Sequence, residues 1–439
     1  MKTKSSEGLI NIVTLGCSKN LVDSEQLARQ LDANNLKVVH DSNATNARNV
    51  VINSCGFIND AKEESVNTIL SFIDAKKRGK LDHIYVMGCL SERYKKELEK
   101  EIPEVDEYFG VNDLNDIVKT LGGNLKYDLL GERQITTPNH YAYLKISEGC
   151  DRTCSFCAIP LIRGKHKSKT TGQIISEAEL LAANGVKELI LIAQDLTYYG
   201  IDIYNKRMLN ELLMQLSSVM GVEWIRLHYA YPTNFPKEIL DTIQSHNNIC
   251  NYLDIPFQHI NDNVLKNMRR GISKKHTYEL INEIKSRIPN VALRTTLLTG
   301  HPGETAEAFD ELMEFVSDVE FDRLGVFPYS EEENTFAARN FIDVIPQEEK
   351  KRRADKVMEL QQGISEKNNL KKIDSYYKVM VDRKEANFYV GRTEFDSPEV
   401  DNEVLINSNG LRLKPGTFHE VTITSANAYD LYGEIKKPA

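Results

Sequence analysis

The chain has 439 residues, and its 55 Lys and Arg against 64 Asp and Glu give a formal net charge of −9. That balance argues against broad nonspecific nucleic-acid binding, though it leaves room for a local basic patch. Hydrophobic residues at 41% and charged residues at 27% are ordinary for a globular protein of two or three domains. No apolar run approaches the roughly 20 residues of a membrane helix, and the opening MKTKSSEG lacks the apolar core of a signal peptide. A cytoplasmic protein with its seven cysteines kept reduced is expected.

From the start to about residue 125, short apolar runs alternate with helical stretches. Residues 9–15 read as a buried strand with a helix over 24–31, residues 49–53 as a second strand with a helix over 60–77, and residues 83–87 as a third with a helix over 92–101. Such alternation predicts a parallel, doubly wound sheet. Each strand runs into a cysteine: TLGCSKN gives Cys17, INSCGF gives Cys55 and VMGCLSE gives Cys89. Carboxyl strand ends form the ligand crevice of an open α/β sheet, so the three can converge there. Neighbouring helix N-termini are expected to lower their thiol pKa values. Gly16, Gly56 and Gly88 are expected to give room beside inorganic sulfide. The competing reading is three buried small hydrophobes.

A second block spans about 136–367. Strands are expected over 143–146, 188–193, 224–228, 252–255, 293–298 and 323–327, with helices over 173–183, 209–219, 274–287 and 306–316. Six strand–helix repeats fit an open, partial version of the eightfold barrel, whose site lies at the carboxyl strand ends. The segment GCDRTCSFC follows the first of these strands and places Cys150, Cys154 and Cys157 in a CxxxCxxC triplet. Three close thiolates with no fourth Cys or His beside them do not fill a closed tetrahedral zinc site. They suit three corners of a 4Fe–4S cluster, leaving one iron open. Strand ends also offer Phe156, Gln194, Asp195, Arg294 and Glu304 as contacts for a bound cofactor, and Gly300 and Gly303 as places of close approach. Each polar one could equally serve packing. His228, His259 and Cys250 read as core residues.

A charged helix is expected over about 345–372, with Ala354, Val357, Met358 and Ile364 on its apolar side and the run Lys350-Lys351-Arg352-Arg353 on its solvated face. The remainder, from residue 376, shows five short strands (YYKVMVD, NFYVGRT, EVLINS, FHEVTIT, DLYGEI) and fits a small OB-like antiparallel barrel. Its eight Lys and Arg, Lys436 and Lys437 included, stand against ten Asp and Glu, a net of −2. That sign favours a basic protein partner over RNA backbone.

With both cysteine groups in view, the chain resembles the radical S-adenosylmethionine methylthiotransferases over nearly its full length, and among them the RimO group. The similar segments are LGCSKNLVDSE (15–25), NSCGFINDAKEES (53–65), GCLSERY (88–94), YLKISEGCDRTCSFCAIPLIRGKHKS (143–168), AQDLTYYG (193–200), LHYAYP (227–232), YLDIPFQH (252–259), LRTTLLTGHPGET (293–305) and DRLGVFPYSEEENT (322–335). Leu196 and His301 depart from the usual pattern, the first from a small hydroxylated residue and the second from an aromatic.

The resemblance implies three domains: an N-terminal auxiliary-cluster domain (8–125), a radical core (136–367) and a C-terminal TRAM barrel (368–439). It implies two 4Fe–4S clusters, one on Cys150, Cys154 and Cys157 and one on Cys17, Cys55 and Cys89. Two equivalents of S-adenosylmethionine per product are implied, one as radical source and one as methyl donor. The implied substrate is an aspartate of small-subunit ribosomal protein S-twelve, free or in the subunit, and the implied further partners are an electron donor and a sulfur carrier. Alternatives are a tRNA methylthiotransferase, which the three segments AQDLTYYG, LHYAYP and DIPFQH disfavour, and an iron–sulfur electron carrier or regulatory module.

Overall fold

The structure is a computed structural model that describes residues 9–42, 46–408 and 410–435. The first domain's boundary at residue 8, Lys436, Lys437 and the chain end lie outside the described residues. The described chain divides into two compact units. One holds the residues up to Thr137 together with Glu148–Asp151 and Ala158–Lys167, and the other holds Pro138–Ser147, Arg152–Cys157 and everything from Ser168.

In the first unit β1 (Leu9–Thr14), α1 (Ser18–Asp32), β2 (Lys37–His40), β3 (Asn49–Ser54), α2 (Asn59–Lys77), β4 (His83–Gly88), α3 (Cys89–Glu101), β5 (Glu107–Tyr108) and α4 (Leu114–Thr120) follow in order. The strands pair parallel in the order β2-β1-β3-β4-β5. Alternate side chains of each strand face opposite ways. Val51 therefore joins Ile10, Ile12, Leu27, Leu31, Ile117 and Val118 in one core. Val50 and Ile52 join Ile69, Ile73, Ile84, Val86 and Leu98 in the other. The order reverses between β1 and β3, the switch point at which such sheets bind ligands. β2 and β5 are short edge strands that the sequence pattern does not signal.

The second unit contains β6 (Tyr141–Lys145), α5 (Thr171–Ala183), β7 (Glu188–Ile192), α6 (Leu209–Ser217), β8 (Trp224–Leu227), α7 (Glu238–Ser245), β9 (Ile249–Asp254), α8 (Lys274–Arg287), β10 (Ala292–Thr299), α9 (Ala306–Val319), β11 (Arg323–Pro328) and α10 (Gln347–Leu370). β6 to β11 form one open six-stranded sheet, parallel throughout and in sequence order, as the six repeats imply. Five more strands close a barrel: β12 (Tyr376–Glu385), β13 (Phe388–Arg392), β14 (Glu403–Asn407), β15 (Phe418–Ala426) and β16 (Asp430–Ile435). The barrel is not wholly antiparallel, because β14 and β16 run parallel. Five strands in a closed ring cannot all alternate in direction, so one pair must match. Among the described residues no helix is long and apolar enough to cross a membrane.

The sheet and the barrel belong to one unit because the loop between β13 and β14 is bonded to the sheet. Asp396 pairs with Arg323. Asp401 accepts from the Tyr252 hydroxyl at 2.7 Å, Glu399 accepts from Tyr141 and Tyr143, and Ser397 meets His228 at 2.9 Å. Arg226 donates to Glu188 at 2.7 Å and to the Glu394 carbonyl at 2.6 Å, while Arg392 joins Glu188 to Asp382. These bonds correct the reading of the C-terminal charge. Asp382, Asp396 and Asp401 are bonded inside the unit, as is Arg392 of the same barrel, whereas Glu399 stays exposed, so the net of −2 does not by itself describe the barrel's surface.

The basic run on α10 is also corrected. Lys350 and Arg353 are buried, Lys350 against Asp343 and the Tyr329 ring and Arg353 against Glu304 and Glu349. Lys351 and Arg352 alone face solvent. Ala354, Val357 and Ile364 are buried as the pattern requires, but Met358 is exposed.

Candidate active site

Register explains how the first unit gathers its cysteines. Thr14 at the end of β1 pairs with Asn53, and Ser54 at the end of β3 pairs with Gly88 at the end of β4. The chain therefore leaves all three strands at one edge, where Cys17 precedes α1, Cys55 follows β3 and Cys89 opens α3. The thiols are close enough to sense one another's charge: Cys17 acts on Cys55, and both act on Cys89. Cys17 is exposed, whereas Cys55 and Cys89 are buried.

Two details differ from the sequence reading. Burial pushes the Cys55 thiol up and the Cys89 thiol up to about 12, outweighing the neighbouring guanidinium of Arg163. A backbone hydrogen bond from Phe57 favours the Cys55 thiolate without reversing that direction, and α2 starts only at Asn59, four residues past Cys55. Deprotonation here is work for a bound cation. The second detail is Gly16, at φ +89, where a Cβ would fall 2.7 Å from the Cys55 Cβ and 2.9 Å from its Sγ. The missing side chain makes room for Cys55 itself. Gly56 and Gly88 likewise abut protein backbone, at Leu90 and Ser54.

Buried polar groups fix the three loops. Asn20 donates to the carbonyls of Leu15 (2.9 Å) and Ser54 (3.2 Å), and its own carbonyl accepts from Asn53 at 2.7 Å. Ser65 accepts from the Cys55 amide and donates to the Cys55 carbonyl, both at 3.0 Å. Arg163 donates to Cys89 Sγ at 3.3 Å. Asn20, Ser65 and Arg163 lie in segments that carry the family resemblance, but the resemblance does not single them out. An arginine inside the apolar stretch AIPLIRG was the available signal. Among the described residues no three His, Cys, Asp or Glu side chains close around a single metal ion. The ligands of a four-iron cube each bond a different iron and stand further apart, so three mutually sensing thiols fit that group.

The triplet cysteines are all partly exposed. In the first unit the Cys150 amide donates to the Gly164 carbonyl at 3.1 Å. In the second, Cys154 Sγ receives Arg270 at 3.3 Å and lies 3.5 Å from the Tyr231 hydroxyl. The Tyr231 ring carries the Arg152 guanidinium at 4.1 Å and that of Arg270 at 4.2 Å. Between the cysteines, Ser155 donates its amide to the Met268 carbonyl and accepts the Ala337 amide. Its hydroxyl meets His301 Nε2 at 3.1 Å. His301, the departure from the family pattern, is buried among Phe156, Tyr329 and Phe341, and burial lowers its pKa to about 4.

The remaining candidates separate into lining and wall. Gln194 and Phe156 are half-buried at strand ends, and Gly303 is exposed there. Asp195 is 1% exposed, caps Thr197 through one oxygen and holds Arg152 at 2.8 Å through the other. Glu304 is turned inward: its carboxylate accepts from the Gly300 amide (2.8 Å) and Arg353 (2.6 Å) and lies 3.5 Å from His259. Burial would raise its pKa, but His259, Arg353 and that amide outweigh the effect and hold it below the usual value. At Gly300, φ +75, a Cβ would strike Lys350 Cγ at 2.2 Å, so the close approach is the protein's own lysine. Arg294 is the third residue of β10, away from its carboxyl end, and faces Asp254 and Asp401 at 3.4 and 3.5 Å. Asp195, Arg294, Gly300 and Glu304 are thus each engaged with the protein's own groups at the site wall. His228 and Cys250 are buried in packing, as read.

Comparison with known proteins finds three family models along the chain. Residues 9–110 match the model of Uncharacterized protein family UPF0004, residues 144–316 that of the Radical SAM superfamily and residues 374–435 that of the TRAM domain. The fold is similar to that of TsrM, a radical S-adenosylmethionine methyltransferase from Kitasatospora setae, with a TM-score of 0.56 at 13% identity over 75% of this chain and 77% of that one. A curated relative from Phocaeicola vulgatus, named ribosomal protein uS12 methylthiotransferase RimO, is 56% identical over 97% of this chain and 99% of its own. One of the same name from Christiangramia forsetii is 55% identical over 99% of this chain and 96% of its own. With identity of that order from end to end, the chain belongs to the RimO family of radical S-adenosylmethionine methylthiotransferases.

Proposed function

We propose that this chain attaches a methylthio group to the β-carbon of an aspartate in small-subunit ribosomal protein uS12. S-adenosylmethionine serves as radical source and as methyl donor, two equivalents per product. The observation that carries the reading is end-to-end identity above one half with proteins named for that activity. The convergence of Cys17, Cys55 and Cys89 at a sheet's switch point supports it independently.

Cys150, Cys154 and Cys157 are the proposed ligands of one 4Fe–4S cluster, and Cys17, Cys55 and Cys89 those of a second. When bound, these groups and S-adenosylmethionine supply the one-electron chemistry that takes hydrogen from an unactivated carbon and the sulfur that replaces it, which side-chain acids and bases do not provide. The protein's part is orientation and exclusion of water. Asn20 and Ser65 hold the loops of the first ligand set, and Ser155, anchored to Met268, Ala337 and His301, holds the loop of the other. Phe156, Gln194 and Gly303 line the cofactor's side of the second unit. Asp195 acts through Arg152, Glu304 through the Gly300 turn and Arg294 through Asp254. An electron donor and a sulfur carrier complete the partners, and the substrate places the reaction in the cytoplasm.

Mass spectrometry of uS12 from cells lacking this gene tests the reading. The methylthio mass should vanish from uS12, return with the intact chain and stay absent with Cys55→Ala. Its persistence in the deleted strain, or its return with Cys55→Ala, contradicts the proposal.

A further inference from the structure

Arg163 touches both a proposed cluster ligand, Cys89, and the Asn20 amide that ties the other two ligand loops. It is 4% exposed. Its Nη1 donates to Asp23 at 2.7 Å and Glu148 at 3.0 Å. Its Nη2 donates to Asn20 Oδ1 at 2.5 Å and to Cys89 Sγ at 3.3 Å. Asn20 holds the Leu15 carbonyl, two residues before Cys17, and the Ser54 carbonyl, directly before Cys55. One guanidinium and one amide therefore reach all three cysteine loops.

Neutralising Asp23 and Glu148 does not explain this burial. Their side chains keep 13% and 22% exposure while that of Arg163 keeps 2%, so water already reaches the acids and the cation carries the desolvation. Burying a cation is costly unless its bonds are strong and specific. Nη2 donates to an amide oxygen and to a sulfur. A thiolate there would make the bond charge-assisted. Hydrogen bonds to cluster sulfurs and the local net charge set the reduction potential of iron–sulfur clusters.

We propose that Arg163 is a positioning residue for the cluster on Cys17, Cys55 and Cys89, its Nη2–H···Sγ bond to Cys89 drawing negative charge off that ligand and holding the cluster's reduction potential up. The inference rests on the proposed assignment of Cys89 as a ligand. Lysine keeps the charge but cannot reproduce a fork that serves Asp23, Glu148, Asn20 and Cys89 together.

The test uses the full chain carrying Cys150→Ala, Cys154→Ala and Cys157→Ala, reconstituted without oxygen with iron and sulfide, so that one cluster remains. Dithionite reduces it by one electron, and electron paramagnetic resonance reads the reduced fraction against potential. Adding Arg163→Gln should lower the reduced-to-oxidised ratio at fixed potential at least tenfold, about 59 mV for a one-electron couple. Arg163→Lys should lower it less. A ratio unchanged within twofold in Arg163→Gln with full iron content overturns the inference. Should the glutamine variant fail to hold iron, the parent labelled with 15N-arginine decides: a guanidinium nitrogen coupled to the reduced cluster supports the contact, and its absence overturns it. A parent that binds no iron overturns the two-cluster reading itself, a different failure from an intact cluster indifferent to residue 163.

Discussion

Asp396→Asn should release the β13–β14 loop from the six-stranded sheet. The Asp396 carboxylate is fully buried, bonded to Arg323 and accepting the Thr393 hydroxyl at 2.5 Å. Asparagine keeps the shape and the Thr393 bond but deprives Arg323, 6% exposed, of the one carboxylate paired with it, leaving only the more remote charges of Asp401 and Asp322. Removing one partner of a buried pair costs about 3–5 kcal/mol, which is a factor of more than about a hundred in the docking equilibrium. Hydrogen exchange reads this at the Asn251 amide, bonded to Glu394 at 3.1 Å, and the Ser397 amide, bonded to Asp401 at 2.9 Å. Both should exchange about a hundredfold faster, with the first unit's strands unaffected, and a compensating Arg323→Met should restore most of the protection. Burial pushes the Asp396 carboxyl up, but Arg323 and Lys372 outweigh it and hold it below its usual value. The pair therefore contributes fully above the unfolded carboxyl value of about 4, and the contribution fades as pH falls from there towards the depressed folded value. A cost below about 1 kcal/mol, the range of a surface bridge, or a double variant no better than Asp396→Asn alone, would refute the reasoning.

Gly300→Ala places a methyl group 2.2 Å from Lys350 Cγ at a backbone φ of +75, so it should destabilise the second unit by about 1–3 kcal/mol, read by thermal unfolding. Ser65→Ala leaves the buried Cys55 amide without its acceptor, costing about 1–3 kcal/mol and speeding iron loss to a chelator, with urea unfolding and absorbance as readouts. Cys250→Ala, packed against Trp224, Tyr252, Ala292 and Met380, should cost on the order of 1 kcal/mol and leave iron content unchanged; lost iron would contradict its place in the core.

Much of the architecture can be read from the chain because parallel, doubly covered strands are continuous apolar runs. Stretches such as ELILI and LRTTLLT mark six strands of the second unit to within a few residues. KVVH and EY escape notice because edge strands this short carry too little pattern. The cysteine positions are legible for the same reason, since strand ends are legible and the parallel register does the rest. Charge is where sequence reading fails. Counting Asp382, Asp396 and Asp401 as surface acids, or Lys350 and Arg353 as a solvated face, ignores partners that arrive from distant segments. Asp195 and Glu304 show the same dependence on distant partners: each carboxylate at a strand end is bonded to an arginine that the local pattern does not reveal.

Iron content tests the central claim most directly. Reconstituted without oxygen, the intact chain should bind about eight irons, and the chain carrying Cys150→Ala, Cys154→Ala and Cys157→Ala about four, as two three-cysteine cubes require. About four irons on the intact chain, or none on the substituted one, would contradict it.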